Sequence, residues 1–86
     1  MEISEDFISF KSAPDFYLKE RSGAKSNTIR KLNEIEIRML NLWIESRKEH
    51  GLPLTIQINL RDSKKAFRRR ISDISEYQGY YVFSWR

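Results

Sequence analysis

Alternating apolar and polar residues define the clearest element of this chain, a strand over residues 54–60. Leu54, Ile56, Ile58 and Leu60 occupy every second position, and this period of two predicts a strand with one face on the core. The segment 61–65 has turn character, so 66 to about 74 is predicted to return as the second strand of a hairpin. Other extended segments are predicted at 7–10, 28–32 and 80–85, with a turn at 75–79.

A long helix is predicted over residues 33–50. Asn33 is a suitable N-cap, and Gly51 with Pro53 ends the helix. Its apolar residues span an arc of roughly 220°, whereas a helix on a sheet needs a stripe somewhat over 100° wide. We therefore expect a further cover on this helix: the N-terminal arm, a ligand, or another chain in a homodimer or a complex with a protein partner. The expected solvent-facing residues are Arg38, Asn41, Glu45 and Lys48.

A short helix is predicted from Ala13 to about Ser22. Pro14 suits the first turn of a helix, and Gly23 supplies the left-handed residue that ends it. The expected anchors of this helix in the core are Phe16, Tyr17 and Leu18.

The composition describes one small domain, residues 1–86, and narrows its chemistry. With 40% hydrophobic residues the chain has enough apolar surface for a compact core. It has no cysteine and a single histidine, so we expect no metal site and no cofactor. No apolar run approaches the roughly 20 residues of a membrane-spanning helix, and the acidic N-terminus is unlike a signal peptide. A cytoplasmic protein without membrane contact is the simplest interpretation.

Charge is distributed unevenly along the chain. Residues 1–24 carry three basic and five acidic side chains, whereas residues 25–86 carry 13 basic and seven acidic ones. Between Arg61 and Arg70 there are six basic residues and one acid. Clustered positive charge attracts polyanions, so the distribution favours an anionic partner.

One short stretch, Gly23 to Arg30, combines a helix-ending glycine with two cations and a hydroxyl. If the residues after Gly23 are extended, Thr28 and Arg30 share a face and Lys25 lies at the mouth of the turn. Two cations and a hydroxyl beside a helix end are suited to hold a phosphate or a polar heterocycle. The alternative is a surface turn with solvated basic side chains.

This stretch resembles the signature of the ASCH branch of the PUA-like superfamily, roughly Gly-x-Lys-x-x-Thr-x-Arg after a short helix. Gly23, Lys25, Thr28 and Arg30 match it in order and spacing. The resemblance implies an anion or base site and a partial PUA-like β-barrel. It also implies, as an alternative, an amidohydrolase on modified nucleosides, in which the matching Lys25 and Thr28 would be catalytic. The downstream glutamate of those enzymes has no counterpart here, unless Asp73 or Glu76 replaces it in space.

A second basic feature lies on the predicted hairpin. If Phe67 and Ile71 face the core, Arg69 lies between them on that face and is placed to clamp an anion. We expect phosphate contacts from Lys64, Lys65, Arg68 and Arg70. The alternative is a charged edge that prevents pairing with another sheet. The aromatic residues of 77–85 offer stacking surfaces for bases, although most are expected in the core.

These observations predict an α+β fold: a small, twisted, mostly antiparallel sheet or partial barrel, with one short and one long helix. The leading functional hypothesis is a small RNA- or nucleotide-binding module. Its predicted site comprises Lys25, Thr28, Arg30, Lys64, Lys65, Arg68, Arg69 and Arg70. The alternatives are a phage-type regulatory protein-interaction domain, which would use the long helix, and the nucleoside amidohydrolase.

Overall fold

The computed structural model describes all residues, 1–86, and contains two helices and six strands. In chain order the elements are β1 Glu2–Ile3, β2 Ile8–Ser12, α1 Pro14–Ser22, β3 Asn27–Lys31, α2 Glu34–Glu49, β4 Thr55–Leu60, β5 Ala66–Tyr77 and β6 Tyr80–Trp85. The predicted α+β fold is confirmed, and each predicted helix is present within one or two residues of its expected bounds.

The six strands form one mixed sheet in the order β1-β2-β4-β5-β6-β3. Only β2 and β4 are parallel, and every other neighbouring pair is antiparallel. The two end strands, β1 and β3, do not pair with each other, so the backbone does not close into a barrel. The sequence predicted either a mostly antiparallel sheet or a partial barrel, and the structure has the mostly antiparallel sheet.

The core lies between the helices and this sheet and is rich in aromatic contacts. The rings of Phe10 and Phe83 have centroids 5.1 Å apart, and Phe67 packs against both Tyr17 and Trp85. Phe10 belongs to β2 and Phe83 to β6, two strands that are not neighbours in the sheet. Side chains therefore connect parts of the sheet that the backbone pairing leaves apart.

Helix α2 begins with a complete capping box. The Asn33 side chain accepts from the backbone N–H of Glu36, and the Glu36 carboxylate accepts from the backbone N–H of Asn33. The predicted solvent-facing residues are all exposed. Neither this helix nor α1 has the length and apolar character needed to span a membrane.

The wide apolar arc of α2 is only partly covered by the chain itself. Leu40 and Trp43 are buried, whereas Ile35, Met39 and Leu42 are 70%, 45% and 61% exposed. The N-terminal arm reaches α2, where the Met1 amino group lies 3.9 Å from Glu36 Oε2, but it does not cover those three side chains. The wide arc predicts that a further surface covers α2, and the chain itself provides only part of that surface.

Two local predictions are wrong. In α1 only Tyr17 of the three expected anchors is buried, while Phe16 and Leu18 are more than half exposed. One turn after Tyr17, the same face of the helix buries Glu20 instead. The predicted turn at 75–79 is shorter, because Gln78 and Gly79 both take positive φ and close a two-residue hairpin between β5 and β6.

Candidate functional site

Three predicted site residues, Lys25, Thr28 and Arg30, line a single cleft of about 410 Å³ between α1, β2 and β3. We call it the signature cleft. Three further charged residues complete its wall: Lys11 of β2, Glu20 of α1 and Arg61 just after β4. The structure thus brings the sequence signature together with residues that are distant along the chain.

Local backbone geometry explains why the signature residues converge. Gly23 takes φ +86° and ends α1, and the Lys25 N–H then donates to the Lys19 carbonyl at 3.0 Å. The chain continues into β3, which pairs with β6 so that Thr28 lies opposite Phe83. Residues two apart on a strand share a face, so Thr28 and Arg30 point the same way, as predicted.

The guanidinium of Arg30 ties β3 to β2, a strand that it does not pair with. Its Nε donates to Thr28 Oγ1 at 3.0 Å, Nη1 to the Lys11 carbonyl at 2.8 Å and Nη2 to Ser12 Oγ at 2.7 Å. It also lies over the ring of Phe10, 5.0 Å from the centroid. Three of its five N–H donors are therefore used within the protein, and Arg30 organises the cleft wall.

The electrostatics of Arg30 reflect its position. Burial lowers the pKa of Arg30 below its usual value; the negative charge of Glu20 acts in the opposite direction, and the cation of Arg61 lowers it further. The cleft thus holds one partly desolvated guanidinium under the influence of a carboxylate and of a second guanidinium.

Glu20 is the acidic group of the cleft, and its side chain is 1% exposed. Its Oε1 accepts from Ser12 Oγ at 2.9 Å, but its Oε2 has no hydrogen-bond partner. Lys25 Nζ lies 3.8 Å from that Oε2 and 5.0 Å from the centroid of the Phe16 ring. Lys25 therefore compensates the buried charge, while one carboxylate oxygen is left able to accept a hydrogen bond.

Lys11 and Arg61 are site residues that sequence reasoning missed. Neither side chain takes part in a salt bridge or a hydrogen bond, so both cations are free at the cleft. Four cations face one carboxylate there, which makes the cleft electropositive. For Arg61 the signal in the sequence was its place at the start of the basic cluster between Arg61 and Arg70, directly after the clearest predicted strand.

The five predicted site residues of the hairpin lie elsewhere, and none of them lines the signature cleft: Lys64, Lys65, Arg68, Arg69 and Arg70. Arg69 is half-buried on the core face as predicted, donating to the Arg21 carbonyl at 2.9 Å. Arg68 lies on the outer face, where it bonds Gln57 and covers the ring of Phe7 at 4.2 Å. Arg70 is exposed on that same outer face. The structure does not bring Arg69 to the signature to clamp an anion there, nor Arg70 to contact a phosphate there.

Lys64 and Lys65 line a second cleft, of about 500 Å³, on the other side of α1. We call it the turn cleft; Tyr17, Leu18 and Arg21 form its α1 wall. The turn cleft therefore combines the exposed aliphatic side chain of Leu18 with three cations, those of Arg21, Lys64 and Lys65.

The suggested acidic substitutes are not at the signature cleft. Asp73 and Glu76 instead line a groove beside α2, together with Lys48 and Tyr81. The carboxylate that meets Lys25 comes from α1, upstream of the signature. Of the predicted stacking aromatics, Phe83 and Trp85 are buried in the core, whereas Tyr77 and Tyr80 are exposed.

Comparison with models of known protein families gives no match, and a search of curated proteins gives none either. The ASCH resemblance stays a prediction from the sequence, based chiefly on the four signature residues and their spacing.

Proposed function

We propose that this protein binds RNA or a nucleotide-like ligand through the signature cleft. The observation that supports this is the convergence of Lys25, Thr28 and Arg30 with the free cations of Lys11 and Arg61 around one buried acceptor, Glu20. A nucleotide offers both kinds of complement: a phosphate for the cations and base N–H groups for a carboxylate oxygen.

Each side chain has a distinct role in this proposal. Lys11 and Arg61 contact phosphate, because their charges are not used within the protein. Arg30 holds the wall and offers its two remaining N–H donors to the ligand. Thr28 Oγ1 already accepts one hydrogen bond from Arg30 Nε, so its hydroxyl can still donate its proton and accept one further bond. Glu20 Oε2 accepts from a base N–H when the ligand displaces Lys25 towards the phosphate.

The test is an NMR amide-shift titration with a mixed-sequence tetraribonucleotide and, separately, with nucleoside 5′-monophosphates, at two salt concentrations. We expect shifts at Lys11, Lys25–Arg30 and Arg61, with affinity falling as salt rises because counterions are released. Arg61→Ala should weaken binding severalfold, whereas the matched control Arg38→Ala on α2 should not. Absence of shifts with every probe would refute the proposal.

A hydrolytic activity is a second candidate, favoured by the meeting of a lysine, a threonine and a carboxylate in one cleft. It ranks below binding because an ammonium held by Glu20 has no free electron pair, and a nucleophilic lysine needs one. Incubation with N-acylated nucleosides separates the two functions. Turnover by the natural chain and its loss in Lys25→Ala would establish hydrolysis, and absence of turnover would exclude these substrates.

Self-association through α2 is an independent candidate for a regulatory interaction domain. Ile35, Met39 and Leu42 lie at i, i+4 and i+7, which makes one exposed apolar stripe. Sedimentation should show a dimer that Leu42→Glu abolishes; a monomer at high concentration would contradict this.

A further inference from the structure

The signature cleft and the turn cleft share two walls. Helix α1 separates them, with Phe16 and Glu20 facing the first and Leu18 and Arg21 facing the second. The turn between β4 and β5 runs from one to the other, because Arg61 lines the signature cleft and Lys64–Lys65 line the turn cleft.

That turn is held in place by hydrogen bonds to β2 and by hydrogen bonds within the turn. The Arg61 N–H donates to the Ser12 carbonyl at 3.0 Å, which anchors its start against β2. The Leu60 N–H donates to the Lys65 carbonyl at 2.9 Å, and the Lys65 N–H donates to Ser63 Oγ at 3.1 Å. The cations of the turn are therefore presented from a fixed backbone.

The two clefts together carry seven cations and one lining carboxylate. The cations are Lys11, Lys25, Arg30 and Arg61 in the signature cleft and Arg21, Lys64 and Lys65 in the turn cleft. None of the three turn-cleft cations forms a salt bridge, and Asp62 is the single acid of the turn. Glu20 and Asp62 offset part of this charge, and the remaining excess of positive charge continues from one cleft to the next.

We propose that the ligand is a single-stranded RNA several nucleotides long, rather than a free nucleotide. This deepens the proposed function and rests on it. One nucleotide occupies the signature cleft, the backbone crosses the turn at 61–65, and following phosphates meet Lys64 and Lys65. The exposed surface of Leu18 in the turn cleft packs against a ribose or base. A free nucleotide would leave the turn-cleft cations unused.

The experiment compares the four nucleoside 5′-monophosphates with mixed-sequence RNAs of two, four and eight nucleotides by calorimetry. We expect affinity to rise by more than tenfold from monophosphate to octamer. In Lys64→Ala/Lys65→Ala the octamer should lose roughly tenfold in affinity, and its salt slope should fall by about 1.4, since each phosphate contact contributes about 0.7 for single strands. Monophosphate binding should be unchanged.

The matched control is Arg38→Ala/Lys48→Ala, which removes the same charge from the exposed side of α2 and should leave octamer binding as it was. Equal affinity for monophosphate and octamer would overturn this inference and leave the proposed function standing. Equal losses in the two double variants would also overturn it. Displacement of the octamer by an octaglutamate peptide at equal concentration would assign the surface to acidic proteins instead. If neither RNA nor monophosphate binds, both proposals fail.

Discussion

Glu20 Oε2 lies 3.8 Å from Lys25 Nζ, and no hydrogen bond satisfies this buried carboxylate oxygen. Burial of a charge is costly unless it is paired, so Lys25 has a structural role besides any role in binding. The two residues are five positions apart, on opposite sides of the left-handed Gly23 that ends α1. The glycine turns the chain so that the cation returns to the helix it has just left.

Removing that cation should destabilise the fold. We expect Lys25→Met to lower the free energy of unfolding by about 1–3 kcal/mol, because Glu20 is left buried without compensation. Adding Glu20→Gln should recover part of the loss, since the uncompensated charge is then gone. Urea denaturation measures both, with exposed Lys48→Met as the control. Strictly additive losses would contradict the coupling.

The guanidinium of Arg30 should not be replaceable by an ammonium. Arg30→Lys keeps the charge but loses the planar fork that joins β3 to the Lys11 carbonyl and Ser12 Oγ. We expect a loss of about 2–3 kcal/mol, which corresponds to a fall in Tm of about 10–20 °C for a domain of this size. Thermal unfolding followed by circular dichroism tests this. The exposed substitution Arg38→Lys should leave Tm unchanged, and an unchanged Tm in Arg30→Lys would contradict the bridging role.

Arg47 should stabilise the fold through backbone carbonyls rather than through its ion pair. Its Nε and Nη2 donate to the Pro53 carbonyl and its Nη1 to the Glu5 carbonyl, whereas its carboxylate neighbour Asp6 is 80% exposed. We expect Arg47→Leu to cost about 2–3 kcal/mol and Asp6→Asn to cost less than about 0.5 kcal/mol. Urea denaturation of both variants distinguishes the carbonyl hydrogen bonds from the ion pair as the source of this stability. Equal losses in the free energy of unfolding would favour the ion pair.

The β5–β6 turn offers a stabilising substitution. Gln78 has φ +51° and Gly79 has φ +84°, and asparagine tolerates the first of these better than glutamine does. Gln78→Asn should therefore stabilise the protein by about 0.5 kcal/mol, while Gly79→Ala should destabilise it by about 1–2 kcal/mol. Thermal unfolding measures both changes. Changes of opposite sign would show that the positive φ values of Gln78 and Gly79 do not determine the stability of this turn.

Local pattern predicted most of the secondary structure, and the error in the expected anchors of α1 has a physical cause. The helix bounds followed from Asn33, Gly23 and Pro14, whose effects on the backbone act within a few residues. Phe16 and Leu18 were predicted to lie in the core because they are apolar. A nine-residue helix buries only a narrow face, and here that face carries Tyr17 and Glu20. Which of several apolar residues is buried depends on the surface opposite, and the local sequence does not describe it.

The sequence by itself determined the α+β class, the helix ends, the hairpin of β4 and β5 and the shared face of Thr28 and Arg30. Periodicity and capping are local effects, so they can be predicted from each segment of the sequence separately. The tertiary structure alone decided that Lys11, Glu20 and Arg61 meet the signature and that Arg69 and Arg70 do not. Those distances depend on the strand order β1-β2-β4-β5-β6-β3 and on the direction of each strand. Long-range pairing selects that order by burying the whole core at once, and no single segment encodes it.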